Sequence, residues 1–233
     1  MSTTSQKPAH MGAPAEDSNR VQLGFSNRLL ARPEIGALVA AVVIGIFFLI
    51  VAPPFRSAES LATVLYQSAT IGIVAVAVGL LMVGGEFDLS AGVMVTTAAL
   101  FNAMFSYQYN VNLWIGAVLS LMFALAVGFL NGFLVMKTGI ASFLITLGTF
   151  FVLQGANLGL TKLITGSVST PNINQMSGYA SLEKVFASTF QVGSVKVSII
   201  VVWGFLLVAI GSWVLRRTKV GNRVYACGRN QAS

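Results

Sequence analysis

Apolar residues along this chain gather in long unbroken runs, not in the short alternations of a half-buried strand or the one-sided stripes of a surface helix. Six runs stand out, at residues 34–52, 61–83, 89–107, 112–136, 139–160 and 197–215. At about 1.5 Å rise per residue, each is long enough to cross about 30 Å of hydrocarbon as a helix. Backbone that faces lipid finds no water to bond, so a spanning segment has to close its hydrogen bonds within itself, as a helix does. The pattern predicts an all-α fold, a polytopic membrane helical bundle with about six transmembrane helices in a domain covering 34–215.

The flanks read differently. Residues 1–33 are rich in Ser, Ala, Pro and Gln, mix Lys7, Arg20, Arg28 and Arg32 with Glu16 and Asp17, and show no sustained periodicity. Such a segment is expected to be a disordered tail. The first apolar run ends at Ala52-Pro53-Pro54 with no small-residue cleavage site soon after a short apolar core, so it reads as an uncleaved span. Residues 216–233 form a basic tail with Arg216, Arg217, Lys219, Arg223 and Arg229. Positive-inside counting places both tails in the cytoplasm, consistent with an even number of spans. Arg216 and Arg217 are expected to meet anionic lipid headgroups. The longest connection, 161–196, then faces outside; it reads as a solvated loop, as a carrier of short helices or as a docking segment for an external partner.

Composition agrees with the pattern and removes several functions. Hydrophobic residues make up 55% of the chain and charged residues 9%, against about 25% charged in ordinary globular domains. The single cysteine, Cys227, excludes an internal disulfide and the single histidine, His10, leaves no cluster for a transition metal. Cys227 has no base beside it in sequence, and no serine is placed near one, so no catalytic residue is assigned. The formal charge of +7 is concentrated in the tails, which topology explains better than nucleic acid does.

One stretch breaks the apolar pattern. Gly84, Gly85, Glu86, Phe87, Asp88, Leu89, Ser90, Ala91 and Gly92 set two carboxylates between two apolar runs. A charge at a membrane boundary is costly unless it is solvated or paired, and marks a functional site by default. Paired glycines allow a sharp turn or helix break, after which Asp88 or Ser90 can cap the next helix. A capped interfacial turn and a functional site are compatible readings. The turn lies near the cytoplasmic side unless it folds back into the membrane.

Two further runs hold polar or small residues in order. Gly116, Ser120, Ala124, Gly128 and Gly132 recur every four residues, a helix-packing stripe by which membrane helices approach closely. Asn131 beside it either bonds across to another helix or lines a solute path. In the fifth run, Ser142, Thr146 and Thr149 are expected to bond back to their own helix. Gln154 and Asn157 offer amide donors and acceptors of the kind hydroxyl-rich solutes require, or else join helices.

Taken together these stretches resemble a known family. Residues 84–92 are similar to the Gly-Gly-Ile-Asp-Leu-Ser-Val-Gly signature of the permease subunits of ribose-type sugar importers of the ATP-binding-cassette class. Gly128-Phe129-Leu130-Asn131-Gly132 and Lys137 through Thr149 resemble the family's next two blocks, and Gly221 through Asn230 its cytoplasmic lead-in to the loop that contacts the ATPase. The resemblance covers residues 61–233. Glu86-Phe87 stands where the family usually has one Ile, which adds a residue and a carboxylate to the turn. Family members continue through that loop and several more helices, so the chain looks like the N-terminal two thirds of a permease.

The resemblance implies a multi-pass subunit of the bacterial cytoplasmic membrane that receives a sugar from an extracytoplasmic solute-binding protein. It also implies a second permease subunit, commonly an identical copy, and a cytoplasmic ATP-binding-cassette ATPase that holds ATP and Mg. This chain has no Gly-x-x-x-x-Gly-Lys-Ser/Thr phosphate loop and is expected to bind no cofactor itself. Glu86, Asp88, Ser90, Asn131, Gln154 and Asn157 are the candidates for the translocation path or its gate, with Gly84, Gly85 and Gly92 as motif glycines. Competing readings are a branched-chain amino acid permease, an ion-coupled transporter using Glu86 and Asp88, a truncated permease that transports nothing and, last, a membrane-embedded enzyme. An ion-coupled transporter of the inverted-repeat kind would show paired helix breaks, and the sequence holds one.

Overall fold

The computed structural model describes residues 33–231. The tail anticipated over 1–33 lies outside them except for Pro33, as do Ala232 and Ser233. Every apolar run forms a helix: α1 (Pro33–Val51), α2 (Ala58–Val83), α3 (Ser90–Tyr109), α4 (Leu113–Thr138), α5 (Ser142–Thr165) and, after α6 (Tyr179–Phe186), α7 (Ile199–Arg217). Four of these, α2, α4, α5 and α7, are long and apolar enough to cross a membrane. Helix α1 has a shorter apolar stretch, Ile35–Val51, and α3 interrupts its apolar run with Thr96, Thr97, Asn102 and Ser106.

The chain divides into two units with the boundary between Phe55 and Arg56. The first holds α1, and the boundary falls within a 3-10 turn, Pro53–Arg56. Phe48 lies between the rings of Phe47 and Phe55 at centroid distances of 5.4 and 5.7 Å.

The second unit has two groups of helices. In one, α2 packs along α7, and both run in the same direction, because Gly204 faces Ala69 and Gly211 faces Val76. A Cβ added at Gly204 would lie 3.0 Å from that of Ala69, and one at Gly211 would lie 2.7 Å from Val76 Cγ1. Without a hydrophobic drive between helices in lipid, such close backbone approach is what gives the pair its dispersion energy. In the other group α3 packs on both α4 and α5. A Cβ at Gly116 of α4 would collide with the side chains of Asn102 and Ser106 on α3, so only glycine fits there. The large apolar side chains of both groups otherwise face outward, as suits a lipid solvent.

The connection 161–196 folds into local structure. Helix α6 is followed by an antiparallel hairpin, β1 (Thr189–Val192) and β2 (Val195–Ser198), turning at Gly193 with φ +63° and running directly into α7. Helix α6 bridges the two groups through aromatic contacts: Phe186 sits 6.0 Å from the Trp114 ring of α4 and 5.8 Å from the Trp203 ring of α7. Trp114 Nε1 donates to Ser181 Oγ at 2.8 Å and Trp203 Nε1 to the Val185 carbonyl at 2.9 Å.

At the other end the basic stretch after α7 forms a further helix, α8 (Lys219–Gln231), packed on α7 and α2. Gly228 lies so close to the end of α2 that a Cβ there would collide with the Val83 carbonyl, and Val224 reaches to 3.7 Å from a Cβ built on Gly84.

Candidate functional site

The Gly-Gly-acid stretch is a helix break whose every residue has a structural reason. Helix α2 ends in a Schellman motif: Gly85 N–H bonds to the Met82 carbonyl at 3.0 Å and Glu86 N–H to the Leu81 carbonyl at 3.2 Å. That geometry sets Gly85 at φ +88°, in the left-handed region open to a residue without a Cβ. Phe87, Asp88 and Leu89 then cross to α3, and α5 supplies hydrogen bonds for their backbone. Phe87 N–H donates to Ser142 Oγ at 3.0 Å, and Leu89 N–H donates to Thr146 Oγ1 at 3.2 Å.

Asp88 caps α3. Its Oδ1 accepts from Ser90 N–H at 2.7 Å and from Ser90 Oγ at 2.6 Å, so the carboxylate rests on the positive end of the helix. Ser90 in turn accepts from Asn131 Nδ2 of α4 at 3.1 Å, and Asn131 Oδ1 accepts from Thr149 of α5 at 2.6 Å. The result is one chain of hydrogen bonds, Asp88–Ser90–Asn131–Thr149, that ties three helices together below the turn. Ser90 and Asn131, the middle of this network, are 2% and 5% exposed, while Asp88 and Thr149 at its ends are half-buried. Glu86 is half-buried on the turn itself.

Gln154 and Asn157 lie elsewhere, farther along α5. Asn157 Nδ2 donates to Thr97 Oγ1 at 3.0 Å and joins α5 to α3. Both side chains line an open groove of about 480 Å³ between these two helices, together with Gly92, Thr96, Phe150 and Thr161. Because α3 and α5 run in parallel from the turn, a second hollow of about 390 Å³ follows beyond it, lined by Gln108, Thr165 and Ser169 near the 166–178 loop. The six path candidates therefore fall into two places. Glu86, Asp88, Ser90 and Asn131 form the turn and the network beneath it; Gln154 and Asn157 belong to the groove.

The five residues of the α4 stripe also part company. Gly116 and Ser120 are buried and Ala124 is half-buried, whereas Gly128 and Gly132 are exposed, with no atom within 4 Å of an added Cβ. A four-residue step advances about 40° around a helix, so the stripe turns away from α3 over its length. Among motif glycines, Gly84 adjoins Val224 of α8, while Gly92 opens onto the groove.

Sequence reasoning missed four contributors. Ser142 and Thr146 do bond back within α5, Thr146 Oγ1 donating to the Ser142 carbonyl at 2.8 Å, but their oxygens also receive the turn's N–H groups. Thr149 likewise reaches outward to Asn131 as well as back to the Ile145 carbonyl at 3.2 Å. Thr96 went unnoticed in an apolar run, although its spacing from Gly92 and Leu100 set it on one face with them. The described residues hold no group of three or more His, Cys, Asp or Glu that could bind a metal.

Long apolar helices broken by a half-buried polar turn define an α-helical, multi-pass membrane protein. Residues 60–233 match the family model described as the permease component of the branched-chain amino acid transport system, and the chain belongs to that family. It is 27% identical over 198 residues to a fructose import permease of Rhizobium meliloti, covering 85% of this chain and 53% of the relative. A galactose/methyl galactoside import permease of Escherichia coli is 29% identical, covering 84% and 60%. A ribose import permease of Haemophilus influenzae is 26% identical, covering 84% and 58%. The chain thus spans about half the length of the curated relatives it matches. No solved structure matches it.

Proposed function

We propose that this chain is a membrane subunit of an ATP-binding-cassette importer that moves a sugar across the bacterial cytoplasmic membrane. The observation that carries the reading is the joining of a permease-family sequence to a helix break whose carboxylate, amide and hydroxyls are bonded across three apolar helices. Relatives named for fructose, galactose and ribose import favour a sugar. The description of the family model keeps branched-chain amino acids as the second reading.

In this account the chain itself carries out no catalysis. ATP and Mg belong to a cytoplasmic ATPase, solute arrives from an extracytoplasmic binding protein, and a second permease subunit, most simply a copy of this chain, completes the pathway. All six long helices span the membrane and both termini are cytoplasmic. The turn end gathers Lys137, Arg216, Arg217, Lys219 and Arg223, which supports this orientation by the positive-inside rule. Glu86, Asp88, Ser90 and Asn131 act at the gate by holding α3, α4 and α5 in one arrangement. The α8 helix, seated against the turn, is the element through which an ATPase below would reach them.

Copurification tests this. Affinity-tagged chain extracted from its native membrane in mild detergent is expected to bring down an ATPase whose hydrolysis responds to solute-loaded binding protein. Chain that comes down without any ATPase, yet accumulates solute in vesicles driven by a proton or sodium gradient alone, contradicts the proposal.

A further inference from the structure

Polar side chains on lipid-crossing helices usually satisfy themselves, and in this chain most do. Thr63, Thr70, Thr97, Thr138, Thr161 and Thr165 all donate to the carbonyl four residues back. In the α3–α5 groove two residues depart from that habit. Thr96 and Gln154 are exposed and make no hydrogen bond to any described residue. Leaving such groups in hydrocarbon costs several kcal/mol each, so this face meets water, protein or a polar solute rather than lipid.

The lining is chemically selective. On α5, Phe150, Gln154, Asn157 and Thr161 recur at three- and four-residue steps and share one face, opposite Gly92 and Thr96 of α3. Gln154 offers two donors and an acceptor, Thr96 one donor and an acceptor, and Asn157 keeps its Oδ1 free after bonding Thr97 through Nδ2. Phe150 adds an apolar ring beside the aliphatic side chains of Val93, Leu100, Leu158 and Val168, and glycine at position 92 leaves room beside them. No charged side chain lines the groove. An amino acid zwitterion would bring an ammonium and a carboxylate into a site with no counter-charge for either, whereas a neutral polyol brings hydroxyls that both donate and accept. A volume of about 480 Å³ lies within the range of small-molecule sites and leaves space for water around a monosaccharide.

We infer that the groove in which Thr96, Gln154 and Asn157 stand against an apolar wall that includes Phe150 is a contact site for a neutral, polyhydroxylated solute. The inference rests on the importer reading above and gives it a place in the chain apart from the Asp88–Ser90–Asn131 network. Hydrogen bonds from amides and hydroxyls would hold the solute's hydroxyls, and its C–H face would lie on Phe150. The shared neutrality of site and solute favours weak, quickly released binding, as a conduit requires.

Gln154 is the residue to test, because it is exposed, makes no hydrogen bond to a described residue and can be replaced without disturbing the fold. With Cys227 changed to Ser, the Gln154→Cys chain in membrane vesicles is expected to react with a water-soluble maleimide. D-fructose, D-galactose or D-ribose should slow that reaction severalfold, and L-leucine should not. Protection by L-leucine, or by none of the four, overturns the inference, as does a cysteine that never reacts. In uptake assays, Gln154→Leu is expected to raise the half-saturating sugar concentration about tenfold, the equivalent of one to two net hydrogen bonds, with Gln154→Asn restoring part of the loss. Chain-dependent sugar uptake that is unchanged by Gln154→Leu overturns this site and leaves the importer reading standing. Sugar uptake indifferent to the presence of the chain overturns both.

Discussion

Asn131 is the single residue on which the turn's network depends. Its amide donates to Ser90 and accepts from Thr149, so among the described residues it links all three helices of the group through one side chain. Replacing it with Leu removes one hydrogen-bond partner each from the Ser90 and Thr149 hydroxyls, and unpaired buried polar groups cost about 1–3 kcal/mol. Asn131→Leu is therefore expected to lower the thermal unfolding midpoint of the detergent-solubilised chain, whereas Thr149→Val, which leaves the Ser90 contact intact, should lower it less. Equal midpoints for the two variants and the unaltered chain would show that the network contributes nothing to stability. Much of this site was legible as a set of misplaced polar residues, since Asp88, Ser90 and Asn131 stand out against apolar neighbours. Their partners were not, because a helical serine or threonine reads as self-satisfied, and only the fold reveals that Ser142 and Thr146 also accept bonds from a segment more than fifty residues away.

At the scale of elements, glycine position separates contact from open surface. Gly204 and Gly211 stand two turns apart on the face of α7 that meets α2, and their seven-residue spacing was a sequence signal as good as the four-residue stripe on α4. Gly204→Leu pushes against Ala69 and is expected to destabilise the α2–α7 pair by about 1–3 kcal/mol. Gly132→Ala, in open space on a helix, should be neutral or stabilise by up to about 1 kcal/mol. Denaturant titration of the two variants checks the contrast, and a larger loss for Gly132→Ala would refute it. Apolar runs fixed where the long helices fall, because length and hydropathy decide that locally. A short helix such as α6 was among the readings of the 161–196 connection, but its position, the β1–β2 hairpin and α8 were out of reach of the same reasoning. Each is short or glycine-containing and is held by contacts with distant elements, such as Trp203 on the Val185 carbonyl or Gly228 on the end of α2.

Across the whole described molecule, the two helix groups meet at a broken helix at one end and an aromatic bridge at the other. The Gly84 turn joins α2 to α3 and touches α8, while α6 spans from Trp114 to Trp203. Between these ends the α3–α5 groove is uncharged, with Thr96, Gln154, Asn157 and Thr161 set among apolar side chains, and the turn network ties the start of α3 to α4. A solute handled in the groove would be released by a change in how α3, α4 and α5 are held at the turn, which is where α8 rests. Transport by this chain is the central claim. The most direct measurement is uptake of labelled fructose, galactose, ribose and leucine by cells with and without the chain, all other components unchanged. Uptake of one sugar is expected to fall to background in cells lacking the chain, to recover when the chain is restored and to stop when ATP is depleted, with leucine uptake unaltered. Loss of leucine uptake with all three sugars retained would contradict it.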